Sequence, residues 1–191
     1  MPEAKREKQI WLTTDTHFGH VNMVKLCYRP EDFAERIIEN WKKVVAPDDV
    51  VIHLGDVAWY NKPWVNDVLS TLPGKKILVR GNHDEKSLLY YMKNGFDFAV
   101  DSFAMMYRGL DILFTHEPVL FHTHDINIHG HLHNNKVMLK EPWSLHYLIS
   151  LENNGYVMTN LDTLVRQELQ KLVYVHKQAG TRTKCRYLSY L

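Results

Sequence analysis

Val50-Val51-Ile52-His53-Leu54-Gly55-Asp56 is a short apolar run closed by a glycine and a carboxylate. A run of that length bounded by turn residues reads as a buried strand, and the residues past its end suit chemistry better than packing. Two other stretches repeat the design: Ile10 to Thr14 leads into Asp15-Thr16-His17, and Ile77 to Val79 leads into Gly81-Asn82-His83-Asp84. Helices lie between them. Pro30 opens an amphipathic segment with Phe33, Ile37, Trp41 and Val44 at helical spacing and Glu35, Arg36, Glu39 and Lys42 between them, and Pro47-Asp48-Asp49 stops it. Pro63 starts a second helix carrying Trp64, Val65, Val68 and Leu69, and Pro73-Gly74 turns the chain into the third strand. Strand–helix–strand alternation predicts an α/β architecture, whose sites form where loops converge beyond the strand C-termini.

Outward from this frame, Val21 to Tyr28 reads as a short helix, and a further helix over Glu85–Lys93 ends at Asn94-Gly95. Strands then dominate: Phe96–Val100, Ser102–Tyr107, Leu110–Phe114 after an Arg108-Gly109 turn, Ile126–Ile128, and His146–Leu151. Asn160 caps a late helix with Leu161, Leu164, Val165, Leu169 and Leu172 on one face. The class is α/β shading into α+β. No repeat, low-complexity tract or linker divides the chain. The expectation is one domain over 1–191, with a strand and helix in 146–173 and a basic tail over 174–191.

Composition excludes some functions. The 191 residues are 45% hydrophobic and 24% charged, with a formal net charge of +1, so no global field argues for nucleic acid or a membrane surface. The basic end, with Lys171, Lys177, Arg182, Lys184 and Arg186, either contacts an anionic partner such as nucleic acid or, preferably, is a solvated terminus. No apolar run approaches the ~20 residues of a membrane helix. Met1–Gln9 is charged and lacks the apolar core of a secretion signal. Cys27 and Cys185 form no ligand spacing, and two thiols do not frame a chain this long, so a reducing cytoplasm is expected. Twelve histidines are the compositional oddity.

Many of those histidines stand in five stretches: Asp15-Thr16-His17, Gly55-Asp56, Gly81-Asn82-His83-Asp84, His116, and Gly130-His131-Leu132-His133. Imidazole nitrogen and carboxylate oxygen suit Mn, Fe, Ni and Zn ions. Asp15 and His17, two apart beyond a strand, can face one ion. Asp56 offers two oxygens, one per metal, Asn82 an amide oxygen, and His116, His131 and His133 imidazoles. Each stretch alone is weak. Together, on successive strand ends, they describe a two-metal site that cleaves phosphate esters.

In that order the stretches resemble the calcineurin-like metallophosphoesterase superfamily, whose pattern is D-x-H, G-D, G-N-H-(D/E), H and G-H-x-H. All five stand unbroken over Asp15–His133. The resemblance implies two packed, mixed β-sheets flanked by helices in a four-layer αββα arrangement. It implies a first metal on Asp15, His17, Asp56 and His133, and a second on Asp56, Asn82, His116 and His131, with Asp56 bridging. His83 would protonate the leaving group and Asp84 would orient it. Two divalent ions against two carboxylates leave a positive surplus that draws phosphate and lowers the pKa of a shared water to about 7, giving a bridging hydroxide at neutral pH. A histidine suits the proton transfer to a poor leaving group.

Other residues near the motifs have competing readings. His20 and Asn22 either contact the substrate phosphate or start a helix. Arg80 reaches substrate or, preferably, pairs with a carboxylate beneath the site. Trp59, with Tyr60 and Trp64, either stacks a nucleobase or packs in the core. His53 reads as a satisfied core histidine, and His122, His124 and His129 as loop or supporting residues. Asp84 could also cap the helix from Glu85. The protein Ser/Thr phosphatases of the superfamily carry Asp-Arg-Gly after Gly-Asp, and here Val57-Ala58-Trp59-Tyr60-Asn61 follows Asp56 without that arginine. The likeness is therefore to the small bacterial and phage branch. The expectation is a phosphodiesterase acting on a phosphate-ester small molecule or nucleotide with two divalent ions, Mn2+ favoured. A phosphomonoesterase or nucleotide pyrophosphohydrolase is the enzyme alternative, and a metal-stabilised interaction module the alternative of another class.

Overall fold

The computed structural model describes residues 6–59, 63–134 and 145–187, without the side chains of Pro63 and 179–187. Strands β1 (Ile10–Thr13), β2 (Val50–His53), β3 (Lys75–Val79) and β4 (Phe98–Val100) run parallel, and β9 (Thr159–Asn160) pairs antiparallel with β1 to close a five-stranded sheet ordered β4-β3-β2-β1-β9. A second sheet is ordered β5-β6-β7-β8, from Phe103–Tyr107, Leu110–Phe114, Ile126–His129 and His146–Leu148. In it β5 and β6 form an antiparallel hairpin, and β6, β7 and β8 are parallel. Two mixed sheets with flanking helices confirm the α/β class and the two-sheet architecture.

The residue pattern explains the layering. Parallel strands covered on both faces need apolar side chains in both directions. Leu12, Ile52, Leu54 and Val79 form one core with Ile112, Phe114, Ile126 and Ile128 of the second sheet. Val51 and Leu78 belong to another core with Phe33, Ile37 and Trp41 of α2 (Phe33–Val44) and Val65 and Leu69 of α3 (Pro63–Thr71). The apolar spacing of α2 thus fixes which face it buries, and the fully buried Trp41 donates its indole N–H to the Pro73 carbonyl at 2.9 Å. At the opposite end of β1 and β2, Asp49 is buried. Its carboxylate accepts from Arg6, from the Gln9 and Ala46 amides and from the Trp11 indole.

Several expected boundaries shift. The first short helix, α1, covers only Met23–Leu26. The helix expected from Glu85 is α4, Leu88–Lys93, because Ser87 rather than Asp84 caps it, its hydroxyl accepting from the Tyr90 amide at 3.2 Å. Asn160 caps α5 (Leu161–Leu164) as expected, accepting from the Thr163 amide at 2.9 Å. A π-helical stretch over Val165–Leu169 then leads into α6 (Gln170–Tyr187), so most of the expected tail is helix. Lys177 there pairs with Asp125. The side chains of Arg182, Lys184, Cys185 and Arg186 lie outside the described residues. Among the described residues no helix is long and apolar enough to cross a membrane.

Candidate metal centre

All five motifs begin within a few residues of strand ends, and hydrogen bonds sew their loops together. The Asp15 amide donates to the Gly55 carbonyl at 2.8 Å and the Gly130 amide to the His116 carbonyl at 3.0 Å. The approach is too close for side chains at the glycines. A Cβ on Gly130 would strike the Thr14 hydroxyl and stand 2.6 Å from Asp15 Oδ2, and one on Gly55 would stand 2.6 Å from His116 Nδ1.

Among the described residues three groups of possible ligand atoms result; one sets Cys27, expected in no ligand spacing, beside His133 and Glu152, and the motifs alone supply the other two. Asp15, His17 and His133 present donor atoms within 4.8 Å of one another, and so do Asp56, His116 and His131. Asn82 Oδ1 joins the second, 2.9 Å from His116 Nε2. Each carboxylate has one oxygen fixed and one facing the imidazoles. Asp15 Oδ2 accepts from the Thr14 hydroxyl (2.6 Å) and the His131 amide (2.9 Å), and its Oδ1 is buried without a hydrogen-bond partner, 3.7 Å from His133 Nε2. Asp56 Oδ1 accepts from the His83 amide at 2.9 Å, while Oδ2 stands 3.6 Å from His17 Nε2 and 3.4 Å from His116 Nε2. His17 Nδ1 is likewise buried and unpartnered. Buried polar atoms without partners are costly unless something binds them. Borderline N and O donors converging on such atoms fit divalent cations.

The electrostatics agree. Burial disfavours the His116 imidazolium, but its hydrogen bond to Asp56 and the charges of Asp15 and Asp56 outweigh that and lift its pKa to about 9. Burial raises the Asp56 pKa, and His116 outweighs it, bringing the carboxyl to about 2. Burial pushes Asp15 up and takes His17 down to about 3. Two buried carboxylates demand positive charge, which cations also supply. His116 Nδ1 lies 2.7 Å from the Leu54 carbonyl, so Nδ1–H donates there, and Nε2 would be the nitrogen to coordinate a cation once its proton is given up.

The backbone is itself unusual. Of the seven expected ligands, Asp15, His17, Asp56, His131 and His133 have φ of 49°, 44°, 57°, 70° and 50°. Such conformations cost of order 1–3 kcal/mol each and persist where surrounding contacts over-determine them, commonly at functional sites.

The other expected residues are placed as follows. His83 is exposed, its ring centroid 5.6 Å from that of His17. Asp84, expected to orient that ring, is instead bonded to backbone. Oδ2 accepts from the Asp56 and Gly81 amides and Oδ1 from Val57, and among the described residues no hydrogen bond joins it to the His83 ring. Trp59 stacks on His20 at 3.8 Å and 12°, with the His83 ring 5.0 Å away. Asn22 is exposed at the start of α1 and caps nothing with its side chain. Arg80 grips Asp101 and the Lys86 carbonyl. His53 is a satisfied core residue: the Gly55 amide donates to Nδ1, Nε2–H donates to the Thr16 hydroxyl, and burial lowers the pKa to about 3.

Two participants were not anticipated. Arg29 and Glu152, both buried side chains, touch His133 and the carbonyls of the first motif. Nothing in their local sequence marks them, since neither is in a motif and 123 positions separate them.

Comparisons with known proteins follow the same line. An uncharacterized protein of Methanocaldococcus jannaschii is 32% identical over 171 residues, covering 83% of this chain and 90% of that one. The Gene 66 protein of Mycobacterium phage L5 is 23% identical over 216 residues, covering 91% and 98%. A solved structure of a protein of unknown function from Aquifex aeolicus superposes with a TM-score of 0.72 at 29% identity, covering 87% of this chain and all of that one. The sequence profile of calcineurin-like phosphoesterases matches residues 8–182, and the chain belongs to that family of metal-dependent phosphate-ester hydrolases.

Proposed function

We infer that this protein is a dinuclear metal-dependent phosphodiesterase acting on small or nucleotide-like substrates. The observation that carries the reading is Asp56 Oδ2, an oxygen 3.6 Å from a nitrogen of one ligand group and 3.4 Å from a nitrogen of the other. Asp15, His17 and His133 would hold one ion and Asn82, His116 and His131 the second, with Asp56 shared. With no thiolate in the set, Mn, Fe, Ni and Zn all suit it, and Mn2+ is the ion to try first. When bound, the ions supply charge for the phosphate oxygens and a water of lowered pKa.

The remaining chemistry belongs to side chains. His83 is anchored through its amide on Asp56 and leaves its ring exposed beside the centre, where it can protonate the departing oxygen. A cavity of about 170 Å3 adjoins that ring, lined by Trp59, Asn66, Leu69, Lys86 and Tyr90 among others. It would receive the organic part of the ester that departs as the P–O bond breaks. Trp59, backed by His20, forms one wall of it, and Asn22 at the exposed start of α1 remains a phosphate contact to test. Arg80, committed to Asp101 and the Lys86 carbonyl, would be held from substrate by those bonds.

The test strips the protein of metal, restores Mn2+, and compares bis(p-nitrophenyl) phosphate with p-nitrophenyl phosphate. Metal-dependent hydrolysis faster on the diester is the expected result. Faster monoester cleavage refutes the diester preference, and two bound ions without turnover of either refutes catalysis on simple esters.

A further inference from the structure

The buried pair formed by Arg29 and Glu152 stands outside all five motifs, yet it touches two of them. Their side chains are 0% and 6% exposed, and Arg29 donates to Glu152 Oε1 from Nε at 2.9 Å and Nη2 at 2.6 Å. A buried ion pair contributes little net stability, because desolvation consumes most of its Coulomb energy. A geometric role explains it better, and the remaining contacts supply one.

Glu152 Oε1 lies 3.0 Å from His133 Nδ1, and Oε2 accepts from the Ser150 hydroxyl at 3.1 Å. His133 therefore donates Nδ1–H to the carboxylate and presents the Nε2 lone pair toward Asp15 Oδ1, 3.7 Å away. His116 takes its tautomer from a neutral carbonyl, whereas His133 takes it from a carboxylate, which makes the imidazole a stronger donor. Arg29 completes the arrangement. Its Nη2 reaches the Asp15 carbonyl at 2.8 Å and its Nη1 the Thr16 carbonyl at 3.2 Å, within the loop where Asp15 and His17 hold positive φ. The guanidinium lies 5.0 Å from the Phe33 ring centroid, so α2 helps to seat it.

We propose that Arg29 and Glu152 are positioning residues for one metal site, Glu152 fixing the His133 ring and Arg29 locking both Glu152 and the Asp15–His17 loop. The inference rests on the two-metal reading above. It ties the segment after β8 to a centre whose ligands all precede it.

The test titrates the metal-stripped full chain with Mn2+ and follows free ion by electron paramagnetic resonance. In Glu152→Gln, one of two sites is expected to weaken by roughly 10- to 100-fold, the usual cost of losing an outer hydrogen-bond partner, while the other keeps its affinity. Glu152→Asp should recover part of the loss. Should Glu152→Gln not fold, the double variant Arg29→Met, Glu152→Gln removes both charges and should show the same one-site loss. Wild-type affinity at both sites in a folded variant overturns the inference. Equal weakening of both sites with a lower Tm also overturns it, marking the pair as merely structural. Wild-type uptake of fewer than two ions overturns the two-metal reading and this inference with it.

Discussion

Asp84→Asn exchanges one oxygen for an NH2 group and separates two accounts of the residue. In the wild type Oδ2 accepts from the Asp56 and Gly81 amides, both at 2.8 Å, and Oδ1 accepts from Val57 at 3.1 Å. The best Asn rotamer places its oxygen at the Oδ2 position and keeps two bonds. Its NH2 then faces the Val57 N–H, and one buried donor loses its acceptor. Burial raises the Asp84 pKa, so a neutral side chain also escapes some desolvation, which moderates the loss. A buried donor left unpaired costs ~1–3 kcal/mol, and we expect ~2 kcal/mol here. With an m-value of ~2 kcal/mol/M, the urea midpoint should fall by ~1 M. Asp84→Ala strands all three amides and should cost ~4 kcal/mol or more. Because these amides fix the Gly55-Asp56 and Gly81-Asn82 loops, Mn2+ affinity should fall with stability. Urea unfolding and Mn2+ titration of both variants check this. An unchanged midpoint and unchanged affinity, with turnover lost only on esters of poor leaving groups, would refute the clamp and return Asp84 to orienting His83.

Other outcomes follow from sites already described. Arg6, the largest influence, holds the Asp49 carboxyl below the usual carboxylate range with help from amides. Its stabilisation is therefore full above the unfolded pKa of ~3.9 and fades as pH falls toward the folded value. Asp49→Asn should cost ~1–3 kcal/mol at pH 7 from donors left unpaired, with little from the half-exposed Arg6, and the gap in urea stability should narrow below about pH 4; a gap constant to pH 3 would count against this. His83→Ala should retain both metals and lose roughly 10²–10⁴-fold in kcat on an alkyl ester, and much less on a p-nitrophenyl ester. Asp56→Ala should lose metal and activity together, which metal analysis of the purified variant would show. Gly130→Ala should expel metal and destabilise the fold by ~1–3 kcal/mol or more, since its Cβ has no room beside Thr14 and Asp15.

The candidate ligands stood out as a set because metal chemistry admits few residue types, and strand ends are where loops can present them. The α2 face was legible because Phe33, Ile37 and Trp41 recur at the helical period and all three are buried. The two-residue β9 carries no periodicity at all and exists because β1 offers it an edge. Ser87 was missed as the α4 cap because Asp84 offered an equally plausible side chain three residues earlier. Its carboxylate is drawn away by amides from a distant loop. Arg29 and Glu152 were invisible for the same reason at greater range: their pairing is a product of the tertiary fold, and no local pattern encodes a contact across 123 positions.

The left-handed backbone at five of the expected ligand positions narrows the alphabet from a second direction. Asn, Asp and His are the non-glycine residues most tolerant of positive φ. They are also oxygen and imidazole donors of the kind that Mn, Fe and Zn accept. A drift toward cysteine, which would favour softer metals, must overcome the turn as well as the coordination sphere. The loops would thus act as a conformational sieve on metal choice.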